Sequence, residues 1–74
     1  MDFDWDEAKR RENLRKHKMD FADAPEMFDG PLLVQADVRH EYEEDRCIGY
    51  GFIGDRVMAI AFSEPRPGAA RVIS

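Results

Sequence analysis

A second cysteine is missing from this sequence, and with it any intrachain disulfide. Cys47 stands alone inside an apolar strand pattern, so it cannot seed a cysteine metal cluster either. That composition suits a reducing compartment, and a cytoplasmic protein is expected. Long apolar runs are also lacking: nothing approaches the roughly 20 residues that span a bilayer. The N-terminus carries Asp2, Asp4, Asp6 and Glu7 where an export signal would be basic and then apolar, so no membrane association is expected. His17 and His40 are far apart, and no HExxH, EF-hand or paired CxxC spacing occurs; no metal and no cofactor is expected. Gly49, Gly51 and Gly54 fall within a strand and hairpin pattern rather than a phosphate-binding loop, which leaves nucleotide binding without support.

What is present is one domain's worth of chain. At 74 residues a single core leaves only about 3 to 5 kcal/mol of net stability without a staple or a partner, so a partner is expected. The net charge of −5 argues at first against nucleic acid, whose phosphates reward a basic surface. Its distribution reverses that argument. Residues 9 to 18 hold six of the eleven basic side chains against the single acid Glu12, so this stretch is +5 and the remainder −10. The chain carries one basic helix on an acidic body; taken alone, such a run reads equally as a solvated helix face.

Asp4 with Glu7 three residues on forms a capping-box pattern, predicting a helix over residues 5–17 with Trp5, Ala8 and Leu14 inward and with Lys16, His17 and Lys18 complementing the helix dipole at its end. Residues 21–28 read as a second, short helix with Phe21, Ala24, Met27 and Phe28 inward. Pro25 favours a break or late start near Asp23, because proline is harmless only in a first turn. Four strands are predicted over 32–38, 46–53, 56–63 and 70–74. Gly54-Asp55 suits a two-residue hairpin loop of type II′, pairing Ile53 with Arg56, Gly49 with Ile60 and Cys47 with Phe62 and setting large residues against small. In that register a β-branched side chain at Gly49 would collide with Ile60. A three-residue loop is the alternative register, and in either one both faces of the sheet are largely apolar, so each should be covered. The expected fold class is α+β, two N-terminal helices lying on a four-stranded, mainly antiparallel sheet.

Three groups could carry chemistry. Lys16-His17 would present a cation and an imidazole at a helix end, although a histidine there also serves as a simple dipole partner. His40 and Glu44 could orient one another across the acidic loop. Arg46 and Arg71 begin strands two and four and could converge on a phosphate, whose oxygens match a guanidinium fork; a salt bridge to Glu44 or Asp37 accounts for them equally well.

The run Phe3-Asp4-Trp5-Asp6-Glu7-Ala8-Lys9, then Asn13, Lys16-His17, Phe21, Ala24, Phe28, Asp29 and Pro31, followed by Asp37, Arg39-His40, Glu44, Arg46, Gly49 and Arg71-Val72-Ile73-Ser74, resembles the BrnT family of bacterial toxins across almost the whole chain. The resemblance implies a RelE-like fold and a ribonuclease of a type II toxin-antitoxin system. It also implies neutralisation by a BrnA-like antitoxin of ribbon-helix-helix type, through which alone the protein would meet DNA. On that basis metal-independent RNA cleavage is expected. Arg46 and Arg71 would clamp the phosphate with Lys16 as a further cation, His17 would serve as base or acid with Glu44 in reserve, and Lys9, Arg11 and Arg15 would touch RNA. Two departures stand out. Family members generally carry Gly after the Lys-His pair, whereas Lys18 is found here, so the helix either runs on or ends with strain. The family also usually continues past the final strand into a basic segment and a helix, whereas this sequence stops at Ser74. That departure supports a rival reading, a non-catalytic module that binds an antitoxin or takes part in promoter control.

Overall fold

The computed structural model describes residues 1–39 and 45–74. It is α+β, with β1 (Asp2–Trp5), α1 (Glu7–His17), a 3-10 turn (Phe21–Asp23), α2 (Ala24–Asp29), β2 (Leu33–Ala36), β3 (Arg46–Ile53), β4 (Arg56–Ser63) and β5 (Ala69–Val72) in chain order. The strands form one sheet in the order β1-β5-β4-β3-β2. β1 runs parallel to β5, and the other pairs are antiparallel.

The sheet therefore has five strands where four were expected, and the added parallel pair makes it mixed, while its other three pairs are antiparallel as expected. The added strand is the Asp-Phe-Asp-Trp run, which the helix start had absorbed. It alternates polar and apolar, the period of a half-buried strand, and Phe3 and Trp5 pack against the core. With Asp4 paired to Arg71 in the sheet, the cap passes to Asp6, whose carboxylate accepts from the amides of Ala8 and Lys9 at 2.8 and 3.2 Å. Helix α1 then ends on Lys18 in the left-handed region, φ 59° and ψ 26°, its N–H donating to the Leu14 carbonyl at 3.0 Å. Of the two endings open to the sequence, the strained one is realised.

The 3-10 turn and α2 cover one sheet face. Asp20 caps the turn through the Ala22 amide, and Pro25 falls in the first turn of α2, so the break expected near Asp23 occurs. Asp23 itself makes no side-chain cap bond. Glu26 accepts from the Gly54 amide and ties α2 to the hairpin tip. The core joins Met19, Phe21, Ala24 and Met27 to Ile60, Phe62, Ala70 and Val72, each of the larger side chains contributing about 1.5 to 3 kcal/mol by burial. Phe28 stacks edge-on between Phe3 and Phe62, with both centroid distances 5.1 Å. Helix α1 takes no part: none of its residues is buried, and Ala8 and Leu14 are exposed. Polar contacts fasten it, Arg10 to Asp20 at 3.2 Å and Asn13 Nδ2 to the Met19 carbonyl at 3.2 Å. Its apolar stripe is too thin to bury, which corrects the expectation of two helices lying across the sheet.

The β3–β4 hairpin adopts the two-residue loop, with Gly54 at φ 61° and Ile53 opposite Arg56, Gly49 opposite Ile60 and Cys47 opposite Phe62. Regular pairing of β5 ends at Val72. Ile73 and Ser74 then both donate to the Ala61 carbonyl (2.8 and 3.3 Å), and Ala61 donates to Ser74 (2.7 Å), a β-bulge that turns the strand end aside.

Candidate functional site: an arginine row on the uncovered sheet face

Alternation along the strands assigns every side chain to a face. Cys47, Gly49 and Gly51 lie under α2, while Arg46, Ile48, Tyr50 and Phe52 face away from it. The pairing places Arg46 opposite Ser63, Ser63 opposite Arg71, and Arg71 opposite Asp4. These four residues form one row across the face turned away from α2. With strands about 4.8 Å apart, the Cα atoms of Arg46 and Arg71 lie about 10 Å apart, within easy convergence for two arginine side chains. Between them Ser63 is 1% exposed, and its Oγ has no hydrogen-bond partner. Arg71 pairs with Asp4 (Nε to Oδ1, 3.1 Å), a residue that the capping-box pattern assigns to a helix cap.

Next along β4 the row gives way to a cleft of about 330 Å³, lined by Asn13, His17, Arg39, Ile48, Ala61 and Ser74 among others. Ala61 and Ile48 are two residues from Ser63 and Arg46 on the same face, about 7 Å along the strands, so cleft and row adjoin. The bulge brings Ser74 to this cleft, and the end of α1 brings His17. Arg39 is held there by Asp37, Nε to Oδ1 and Nη2 to Oδ2 both at 2.8 Å. The Asp37 side chain is 2% exposed and the Arg39 side chain 67% exposed, so a buried carboxylate orients a solvent-facing guanidinium. Asp37, anticipated as a partner for Arg46 or Arg71, is thus seen paired with Arg39.

The register sets Arg46 and Arg71 in one row on either side of Ser63, and His17 lines the adjoining cleft. Lys16 does not share the row: it lines an adjacent hollow with Lys9, Glu12, His17 and Ser74. On α1 the cations stand in ion pairs, Arg11 with Glu7 at 3.9 Å, and Arg15 and Lys16 with Glu12 at 2.8 and 3.0 Å. The Arg15 hydrogen bond, then that of Lys16, holds the Glu12 carboxyl below its ordinary range, as Arg10 first of all does for Glu7. Glu12 and Glu7 therefore remain ionised and screen the helix, but exposed pairs of this kind contribute little to stability and leave the cations able to meet a phosphate. Glu44 and His40 lie outside the described residues. Among the described residues no three His, Cys, Asp or Glu side chains are grouped to hold a metal ion, and no helix is long and apolar enough to cross a membrane.

Sequence reasoning gave no role to Arg39 or Ser63. For Ser63 the signal was present, since the favoured hairpin register already sets it opposite Arg46. Arg39 carried none, because its position depends on the loop path and on Asp37 burial.

An α+β domain with a guanidinium row beside a histidine-lined cleft on an uncovered sheet face is suited to holding a phosphodiester. The family described as ribonuclease toxin, BrnT, of type II toxin-antitoxin systems matches residues 5–74. The chain belongs to this family, and membership implies an RNA substrate and an antitoxin partner. No curated protein matched the sequence.

Proposed function

We propose that this chain cleaves RNA without a metal ion, on the uncovered face of a RelE-like scaffold, by attack of the substrate's own 2′-hydroxyl on the adjacent phosphorus. The 2′-O–P bond forms and the P–O5′ bond breaks. The 2′-hydroxyl proton passes to a base, and the departing O5′ gains a proton from an acid. Arg46 and Arg71 steady the charge that gathers on the phosphate, and His17 exchanges protons from the neighbouring cleft, imidazole being the side chain suited to both roles near neutral pH. Lys16, Lys9, Arg11 and Arg15 draw the RNA backbone toward the α1 side, and Glu44 is the reserve base. A BrnA-like ribbon-helix-helix antitoxin restrains the activity in the cytoplasm, and contact with DNA runs through that antitoxin. The observation that carries this reading is the common row of Arg46, Ser63 and Arg71.

The test is cleavage of a mixed RNA pool by the purified protein with and without chelator, alongside Arg46→Ala, Arg71→Ala and His17→Ala. Activity should survive the chelator and fall about 10²- to 10³-fold for each arginine, with the circular dichroism spectrum unchanged. A second reading, the binding-only module, is favoured by one feature, the ion pairing that already occupies Arg71 and the α1 cations. It takes over if the parent leaves RNA intact, or if all three variants cleave as the parent does.

A further inference from the structure

We infer that the same sheet face carries a nucleobase-stacking lane, built by Tyr50 and Phe52 over the small residues of β4, which seats the unpaired bases of a single-stranded RNA beside the arginine row. This rests on the RNA-cleaving reading above and extends it to the form of the substrate. On the face turned away from α2, β4 presents Ala59, Ala61 and Ser63, a floor of small residues about 13 Å long, exposed at Ala59 and buried at Ala61 and Ser63. Beside it β3 raises Arg46, Ile48, Tyr50 and Phe52, a wall that begins with a cation and ends with two aromatic rings. In the register Tyr50 stands between Leu33 and Ala59. Gln35 Nε2 donates to the Tyr50 hydroxyl at 3.3 Å, which draws the ring toward β2 and leaves its Ala59 side open. Tyr50 is 36% and Phe52 45% exposed. Both rings are thus held on a strand with part of each ring offered to solvent.

A ligand is indicated independently at the far end of the floor, where the buried Ser63 Oγ has no hydrogen-bond partner and Ser63 stands between Arg46 and Arg71 in the strand register. A hydroxyl so placed can donate to a phosphate oxygen. Phosphate at Ser63 and bases at Tyr50 and Phe52 are the two needs of a single strand, backbone charge and stacking, met along one line. A duplex, whose bases are already stacked, would gain nothing from the rings. The substrate class is therefore RNA with at least two consecutive unpaired nucleotides flanking the scissile phosphate.

The test uses a 2′-deoxy oligonucleotide, which offers the same backbone and bases but no attacking hydroxyl, with 2-aminopurine as a fluorescent base. Binding to the full chain should quench the 2-aminopurine. Tyr50→Ala and Phe52→Ala should each weaken binding about tenfold or more and remove the quench, Tyr50→Phe should keep both, and the same sequence in a duplex should bind far more weakly. Because each ring is more than half buried, the alanine variants should melt a few degrees below the parent, and binding is compared well below their transitions. The inference is overturned if Arg46→Ala weakens binding while Tyr50→Ala and Phe52→Ala do not; RNA cleavage then stands without the lane. It is also overturned if the aromatic variants lose a ribbon-helix-helix antitoxin and keep the oligonucleotide, which would make the rings a protein-docking surface. A parent that neither binds the oligonucleotide nor cleaves RNA removes both readings together.

Discussion

Strand β3 shows a different surface to each side of the sheet, and the contrast separates what the chain needs in order to fold from what it holds in reserve. Toward α2 it offers Cys47, Gly49 and Gly51, and the helix comes close enough that a Cβ on Gly51 would lie 3.2 Å from Met27 Cβ and 3.3 Å from the Met27 carbonyl oxygen. Toward the other side the same strand offers Arg46, Ile48, Tyr50 and Phe52. Volume is absent where α2 packs tightly and plentiful on the side turned away from it, where Tyr50 and Phe52 keep over a third of their surface in solvent. Side chains that gain little burial contribute little to stability, so the bulk on the open face is read most simply as bulk meant for something else.

The contrast breaks most severely at Gly51. Gly51→Val would drive a branched side chain into α2 backbone, which cannot rotate aside, and should cost stability near the top of the usual overpacking range of about 1 to 3 kcal/mol. Gly49→Val should cost less. Its nearest neighbour is the Phe62 ring edge at 3.1 Å, with Leu32 at 3.4 Å and Ile60 at 3.8 Å, all side chains able to shift. Pairing alone had pointed to Ile60, but the Phe62 ring reaches closer. Urea denaturation midpoints should fall in the order parent, Gly49→Val, Gly51→Val. Equal midpoints for Gly51→Val and the parent would mean that α2 does not rest on β3.

That order also marks where the sequence was legible and where it was not. The hairpin could be read residue by residue, because a two-residue loop and the alternation of large and small side chains over 46–63 both specify one register. The break before α2 was legible from Pro25 for an equally local reason. β1 was not, because Asp4 and Glu7 at capping-box spacing compete with the period-two run of Phe3 and Trp5. Only the distant β5 decides between them, by pairing with β1. The arginine row suffered in the same way: Arg46 and Arg71 could be named from their strand ends, whereas Asp4 as the partner of Arg71 requires β1. The position of α1 lay furthest from reach. Its caps and charges predict a helix well, but Arg10–Asp20 and Asn13–Met19 are contacts that no apolar periodicity announces.

Helix α1 belongs to neither face and supplies His17 to the cleft, so its ending sharpens the comparison with a change of opposite sign. Lys18 is the non-glycine residue with positive φ among those described. A left-handed L-residue costs about 1 to 2 kcal/mol, of which glycine returns part through its own greater backbone entropy, about 0.5 to 1 kcal/mol. Lys18→Gly should therefore stabilise the protein by about 0.5 to 1 kcal/mol, seen as a rise of several degrees in melting temperature for a domain of this size. RNA cleavage should be unaltered, since His17 keeps its place at the helix end. A fall in melting temperature would show that Lys18 makes contacts outweighing its backbone strain.

The smallest effect is expected on the uncovered face, and its smallness is what gives it value. Leu33 is 67% and Val57 65% exposed, and both face away from α2 in the register. Threonine at either position keeps a β-branched side chain suited to a strand while replacing apolar surface with a hydroxyl that water can reach. If the face is open in the isolated protein, Leu33→Thr and Val57→Thr should each change stability by less than about 0.5 kcal/mol, against the far larger penalty at Gly51 on the opposite side of the same sheet. A loss of more than about 1 kcal/mol, growing with protein concentration, would instead mean that copies of the chain cover this face for one another. The two faces would then both be packing surfaces, and the bulk along β3 would be explained by assembly rather than by a ligand. A loss that does not vary with concentration would place the cover within the chain itself and remove the contrast altogether.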